Sequence, residues 1–223
     1  MNATATGYTI VDPATYSLAT VARASIAYAK SYAVYGQGTY NFDNLHITAG
    51  GRFTQDKKDG TLFKVNGAAT NFTFDQNNKR FDPIVTLAYD IDRDINVYAK
   101  YTTGYRAGGA SSRSLNYRSF GPEEVKSYEV GSKIELLNRT VRFNLAAYMM
   151  DRSDSQVDFN FFIPQPNGTV RNTLETVNAE GTTKIRGIEA DLTVQPLEGL
   201  SSTLSYAYTD VNMPQARNTV QEQ

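Results

Sequence analysis

Between Val125 and Met150 the chain reads VKSYEVGSKIELLNRTVRFNLAAYMM, two long runs of alternating apolar and polar residues joined by a very short turn. A period of two belongs to an extended strand, whose successive side chains point to opposite faces of a sheet. Tyr128, Val130, Ile134 and Leu136 therefore share one face, and Val141, Phe143, Leu145, Ala147 and Met149 of the returning run join them. Glu129, Lys133, Glu135, Arg142 and Asn144 take the other. One side of the ribbon is free of charge, so the fold turns on whether that side meets a protein core or lipid.

Composition narrows the classes. The 223 residues hold 22 basic and 23 acidic side chains, a balance that gives no footprint for a polyanion, so no nucleic-acid partner is expected. Cysteine is absent, which excludes a disulfide framework and thiolate metal ligation. No run approaches the roughly 20 apolar residues of a spanning helix, and the mean hydropathy is −0.44. Spanning strands escape that test, because only every second residue faces lipid. The opening MNATATGYTIVDPATYS lacks the basic and apolar regions of a secretory signal. Either the protein is not exported or the chain is a fragment whose signal lies upstream.

The alternation recurs, giving about eight strands of about 9 to 11 residues, the length that crosses a bilayer when tilted. They pair as four hairpins. Ser31–Tyr40 returns as Leu45–Thr54, Pro83–Tyr89 as Ile95–Arg106, and Arg186–Val194 as Leu200–Tyr208, with the Val125–Met150 ribbon as the third in order. The connections between hairpins, Gln55 to Asp82, Ala107 to Glu124 and Asp151 to Ile185, are long and rich in Asn, Gly, Ser and Asp. Strict alternation of short and long connections is the layout of outer-membrane barrels, with short turns in the periplasm and long loops outside.

Phasing each strand gives an outward face of Tyr32, Val34, Gly36, Gly38 and Tyr40, then Leu45, Ile47, Ala49, Gly51 and Phe53, then Val85, Leu87 and Tyr89. It continues with Ile95, Val97, Ala99, Tyr101, Thr103 and Tyr105, the ribbon's apolar set, and Ile188, Ala190, Leu192, Val194, Ser202, Leu204, Tyr206 and Tyr208. None is charged, although 20% of the chain is. Lipid penalises Arg or Lys at mid-depth by roughly 2–4 kcal/mol, which supplies a cause. A soluble all-β binding module, adhesin- or lectin-like, would also keep charge out of its core and is the alternative. Tyrosines and Phe53 near strand ends favour lipid, as in the aromatic girdles at a membrane interface.

Catalysis finds no constellation. His46 is the only histidine and stands at the short-turn end of a strand, so a polar lumen or rim role is expected of it. Gly104 to Gly109, GYRAGG, is followed by no helix and reads as a strand leaving the membrane rather than a phosphate loop. Asp56-Lys57-Lys58-Asp59-Gly60 reads as a solvated loop. Two clusters have ligand-binding chemistry: Arg106, Arg113, Tyr117, Arg118 and Phe120, suited to an anionic chelate, and Phe159, Phe161 and Phe162, suited to sugars or aromatic chelators. No catalytic, cofactor-binding or metal-binding residue is assigned, and no cofactor is expected.

The succession SYAVYGQGTYNFDNLHITAGGRFTQDKKD, VYAKYTTGYRAGGASS, FGPEEVKSYEVGSKIELLNRTVRFNLAAYMMDRSDSQV and NAEGTTKIRGIEADLTVQPLEGLSSTLSYAYTD resembles the β-barrel region of TonB-dependent outer-membrane receptors. The resemblance covers roughly Ser31 to Asp210. It implies an all-β, antiparallel, up-and-down segment of a barrel of about 22 strands plugged by an N-terminal domain. It further implies energised import of a scarce nutrient, an iron–siderophore, cobalamin or carbohydrate, across the outer membrane of a Gram-negative bacterium. The expected partners are outer-membrane lipid, a small ligand such as a metal chelate, and TonB acting through an N-terminal region not seen here. Residues 1–30 are read as a loop or partial strand at a truncated N-terminus, 31–210 as partial barrel, and 211–223 as the start of an extracellular loop at a truncated C-terminus. Closure into a small eight-stranded barrel is the rival geometry.

Overall fold

The computed structural model describes residues 2–4, 7–9, 22–114, 116–164 and 170–214, and every regular element among them is a strand. In chain order these are β1 (Asn2–Thr4), β2 (Gly7–Thr9), β3 (Arg23–Phe42), β4 (Leu45–Val65), β5 (Ala68–Asp90), β6 (Ile95–Arg106) and β7 (Gly109–Ala110). They continue as β8 (Ser119–Phe120), β9 (Glu123–Leu136), β10 (Val141–Ser153), β11 (Gln156–Pro164), β12 (Val170–Asn178), β13 (Thr182–Leu197) and β14 (Leu200–Asn212). Eight of them make one antiparallel meander, in the order β14-β13-β10-β9-β6-β5-β4-β3, and the rest pair as β1–β2, β7–β8 and β11–β12.

All four hairpins read from the sequence are present, and three of their short turns contain residues in the left-handed conformation. Asp43 turns β3 into β4 at φ +48, Leu137, Asn138 and Arg139 turn β9 into β10 at φ +52, +53 and +68, and Gly199 turns β13 into β14 at φ +79. The connection from Gln55 to Asp82 is different from expectation. It is paired strand, with β4 and β5 in register from Leu45↔Tyr89 out to Val65↔Ala68 across an irregularity near Leu62. Asn66 and Gly67, at φ +49 and +83, close it as an Asn-Gly hairpin turn. β3 follows β4 to Arg23↔Val65, so three strands continue together well past the apolar band.

The strands are staggered as tilted barrel strands must be. The row Phe42–Leu45–Tyr89–Val97 lies at the short-turn end of β3 and β4, yet it meets β9 at Ser132, well before that strand ends at Leu136. The row through Ala49, Val85, Tyr101, Tyr128 and Met149 arrives on β13 at Arg186 and on β14 at Asp210. Each row thus climbs from the apolar band toward the long-loop side. The sheet does not close: β3 and β14 are its two edges, which removes the eight-stranded barrel.

Its apolar face has no second layer. Val34, Val130 and Leu204 are 68%, 57% and 69% exposed, and the buried hydrophobic residues among those described are Leu62, Tyr117 and Ala179. A sandwich needs a sheet packed about 10 Å away on that face, and none is present among the described residues. Phe53 stands opposite Phe81, and the rings of Tyr101 and Tyr128 lie 5.1 Å apart, at the long-loop end of the band. The outward list needs one correction. Thr103 donates to Asp82 (2.9 Å) and the Tyr105 hydroxyl donates to Asp56, so both side chains stand on the polar face. The turn of these side chains coincides with the split between β5 and β6, whose pairing stops at Ile84↔Thr102 while β6 stays in register with β9 to Arg106↔Glu123.

Candidate functional site

The polar face carries an interlocked set of side chains where the split opens. Arg52 stands opposite Asp82 and donates to Thr54 Oγ1 at 3.1 Å. Arg80 Nε pairs with Asp82 at 2.8 Å and its other arm reaches Glu124 across the gap, while its guanidinium lies 5.9 Å from the Tyr105 ring centroid. Burial alone would raise the pKa of Asp56, but the Tyr105 and Ser31 hydroxyls, with Lys58 and Arg52, outweigh it and hold the carboxyl below its ordinary value. These groups line an open depression of about 610 Å³ together with Tyr35, Gln37 and Thr102. Arginines and carboxylates neutralise one another here, so the depression is hydrated and polar without a single dominant sign.

Nearer the short turns the polar face is fixed by tyrosines lying over glycines. The Tyr98 hydroxyl donates to Glu129 at 2.8 Å, and a Cβ on the cross-strand neighbour Gly131 would lie 2.6 Å from that hydroxyl oxygen. Tyr148 covers Gly187 in the same way, its ring 2.4 Å from where a Cβ would be, and its hydroxyl lies 2.9 Å from Thr209 Oγ1. The rings lie flat across the sheet because glycine leaves them room. His46 takes the expected place at the rim, between Asp90 and Asn41, each at 2.8 Å. Both ring nitrogens are thereby occupied, Nδ1 by Asn41 and Nε2 by Asp90.

Outside the band, the long connections pack into one body. Tyr117 is 3% exposed and sets its ring edge-on to Phe74 at 5.0 Å. Lys58 Nζ donates to the Gly108 carbonyl at 2.9 Å and Gln76 donates to the Phe120 carbonyl at 2.6 Å, fastening the 107–122 segment to the polar side of β4 and β5. Asn178 ties a third segment in: its Oδ1 accepts from Gly121 N at 2.6 Å, and its amide donates to the carbonyls of Gly121, Pro122 and Asp154 at 3.0, 3.3 and 2.8 Å. Thr173 donates to the Arg113 carbonyl at 2.5 Å, and Gln156 donates to those of Ala107 and Gly121 at 3.3 and 3.0 Å.

This packing divides the two ligand-binding clusters read from the sequence. Tyr117 is structural, Phe120 is half-buried against Gly109, and Arg106 pairs with Glu123 at 3.1 Å. Arg113 and Arg118 remain exposed, with no side-chain partner among the described residues. Phe159 is half-buried on β11, whereas the side chains of Phe161 and Phe162 lie outside the described residues. Asp56 to Gly60 is strand rather than loop, and the described residues contain no group of acidic or histidine side chains spaced for a metal. The hub residues Gln156 and Asn178 escaped sequence reading because nothing in the local pattern marks an amide that will bridge distant backbones.

Comparison with known proteins agrees with this geometry. Residues 2–222 match the family model described as TonB dependent receptor-like, beta-barrel. The chain is 23% identical over 167 residues to a ferric-pyoverdine 358 receptor of Pseudomonas putida, covering 75% of this chain and 19% of that protein. It is 26% identical over 179 residues to the ferric-pyoverdine BN7/BN8 receptor of the same organism, covering 80% and 20%. The chain thus spans about a fifth of the length of these relatives. Among solved structures it is similar to the ferric yersiniabactin uptake receptor of Yersinia pestis, with a TM-score of 0.69 at 20% identity over 86% of this chain and 28% of that one. It is also similar to a siderophore receptor of Acinetobacter baumannii, with a TM-score of 0.66 at 18% identity over 83% and 26%.

Proposed function

Because the chain belongs to the TonB-dependent receptor β-barrel family, whose members are receptors and transporters rather than enzymes, we propose that it is a wall segment of an outer-membrane importer for a metal chelate. The observation that carries this reading is the unlayered apolar face, charge-free through the band and bounded by aromatic residues, behind which the polar face carries hydrogen-bonded tyrosines, carboxylates and arginines. Only a sheet with lipid on one side and a hydrated lumen on the other satisfies both faces. The ligand class is taken from the relatives' names as ferric-pyoverdine receptors, together with Arg113 and Arg118, which have no side-chain partner among the described residues and suit an anionic chelate. Energisation by TonB through an N-terminal region completes the proposal.

The test is uptake of radiolabelled iron from a panel of ferric chelates by cells expressing the intact gene product, with and without the gene and with and without a protonophore. Accumulation of at least one chelate that needs both the gene and the energised inner membrane is expected. Equal accumulation in the deletion strain for every chelate, under iron limitation, would overturn it.

A further inference from the structure

Where the pairing of β5 with β6 ends, one row crosses the three strands beside it as Gly36–Gly51–Pro83. Each of these residues loosens its strand. Glycine leaves the backbone unconstrained and adds no packing, and proline has no N–H to offer a neighbour. The ladder to β4 runs on through Gly51↔Pro83, whereas the ladder to β6 stops at Ile84↔Thr102, one residue short of Pro83. Packing does not demand glycine at Gly36, since a Cβ there would meet nothing within 4 Å. Beyond this row β3, β4 and β5 stay paired with one another to Arg23↔Val65 and Val65↔Ala68, and β6 stays paired with β9 to Arg106↔Glu123. The outer wall is therefore two panels, and among the described residues no ladder joins them.

Across the gap itself side chains make the joints. Thr103 donates to Asp82 at 2.9 Å, Tyr105 donates to Asp56, and Arg80 pairs with Glu124. The 107–122 segment adds one anchored contact, because Tyr117 enters a socket formed by Ser25 of β3, Gly60 of β4 and Phe74 of β5. Its hydroxyl bonds to Ser25, a Cβ on Gly60 would lie 2.9 Å from that hydroxyl, and Phe74 meets the ring edge-on at 5.0 Å. Tyr117 makes these contacts at φ +60, a left-handed backbone that disfavours a residue with a bulky side chain. We infer that Gly36–Gly51–Pro83 is a hinge line about which the outer part of β3, β4 and β5 swings away from β6, and that the 107–122 segment, seated by Tyr117, is the strap that holds it closed. Withdrawing the ring relieves its backbone and leaves the gap held by polar side chains whose bonds water can replace, so the strap is the releasable part. Opening parts the two walls of the polar depression, since Asp56 and Asp82 belong to the swinging panel and Thr103 and Tyr105 to β6. The hinge rests on pairing and packing and is independent of which ligand the receptor takes.

Pulsed spin-label distance measurement on the intact gene product in phosphatidylcholine nanodiscs provides the test. Labels go at Thr73→Cys on the panel and Lys126→Cys on β9, both exposed positions in a chain that has no cysteine. Thr73 lies about 33 Å beyond Pro83 at about 3.3 Å per residue, so a swing of about 15° displaces it by about 9 Å. The otherwise wild-type chain should give one narrow distance, and Tyr117→Ala should add a second population longer by about that displacement. Adding Gly36→Val and Pro83→Thr to Tyr117→Ala should return the distribution to the single short distance, because the first stiffens β3 and the second restores a donor toward β6. A second label pair, Leu137→Cys and Lys184→Cys, lies wholly within the other panel and should stay narrow in every variant, which separates swinging from unfolding. A Tyr117→Ala distribution identical to that of the parent chain would overturn the strap. A longer population that persists with Gly36→Val and Pro83→Thr would overturn the hinge line, and equal broadening of both label pairs would overturn both.

Discussion

Val130→Arg separates lipid from water as the solvent of the apolar face. Val130 is 57% exposed, lies between Lys126 and Leu136 on the outward face of β9, and has alanines, Ala99 and Ala147, as its cross-strand neighbours. An arginine therefore fits without steric conflict, so nearly all of its effect comes from the medium it enters. Near mid-depth in lipid the substitution costs about 2–4 kcal/mol. That corresponds to a loss of about 30- to 700-fold in the folding equilibrium constant. In water the same exposed position would be within about 0.5 kcal/mol of neutral. The control is Asn144→Arg on the exposed polar side of β10, beside Lys133 and Asp191, where the change should also stay within about 0.5 kcal/mol. Denaturant titration of the intact gene product in phosphatidylcholine bilayers measures both. Equal stabilities for Val130→Arg, Asn144→Arg and wild type would refute lipid as the partner of this face.

Gly187→Ala should destabilise the wall by about 1–3 kcal/mol in the same titration, because its Cβ meets the Tyr148 ring and the Tyr208 carbonyl. Tyr148→Ala combined with Gly187→Ala should cost less than the sum of the two single changes. Asn178→Leu leaves the Gly121 amide and the Pro122 and Asp154 carbonyls without their Asn178 partner, while the Gly121 carbonyl keeps its bond from Gln156, so limited proteolysis should cut the 107–122 segment faster, by an amount corresponding to about 1–3 kcal/mol of lost protection. At the short-turn rim, the hydrogen bonds from His46 and Asn96 hold the Asp90 carboxyl below its ordinary value. A depressed carboxyl contributes stability above its unfolded value near pH 3.9 and loses it as pH falls through the folded value, so hydrogen exchange in the 90–96 turn should speed up only below about pH 4. His46→Ala should move that onset upward.

The wall was legible because a sheet with one apolar and one polar face enforces alternation residue by residue, and the phase of the Val125–Met150 ribbon survives unchanged in its register. Where both faces of a strand meet water or other loops, that enforcement stops. β4 and β5 beyond Phe53 and Phe81 carry Lys57, Asp59, Asp75 and Lys79 on one face and Lys58, Gln76 and Arg80 on the other, so no apolar stripe betrays a strand. Asn66-Gly67 was the readable signal there, but its flanks lack the alternation that gives such a pair its weight. The division of the basic-aromatic cluster was not legible for another reason. Tyr117 finds Phe74 through space, and only the fold reveals that this ring is a packing element while Arg113 and Arg118 stay exposed.

The alternation also governs how such a chain can travel. Its apolar residues are interleaved with polar ones, so the unfolded polymer offers no stretch that a helix-inserting apparatus would retain, and the mean hydropathy stays at −0.44. The residues that form one continuous apolar face once the strands are paired are dilute and hydrated while the chain is extended. A protein of this design can be carried through an aqueous compartment as a water-compatible polymer, and it becomes a membrane protein only when its strands pair at their destination.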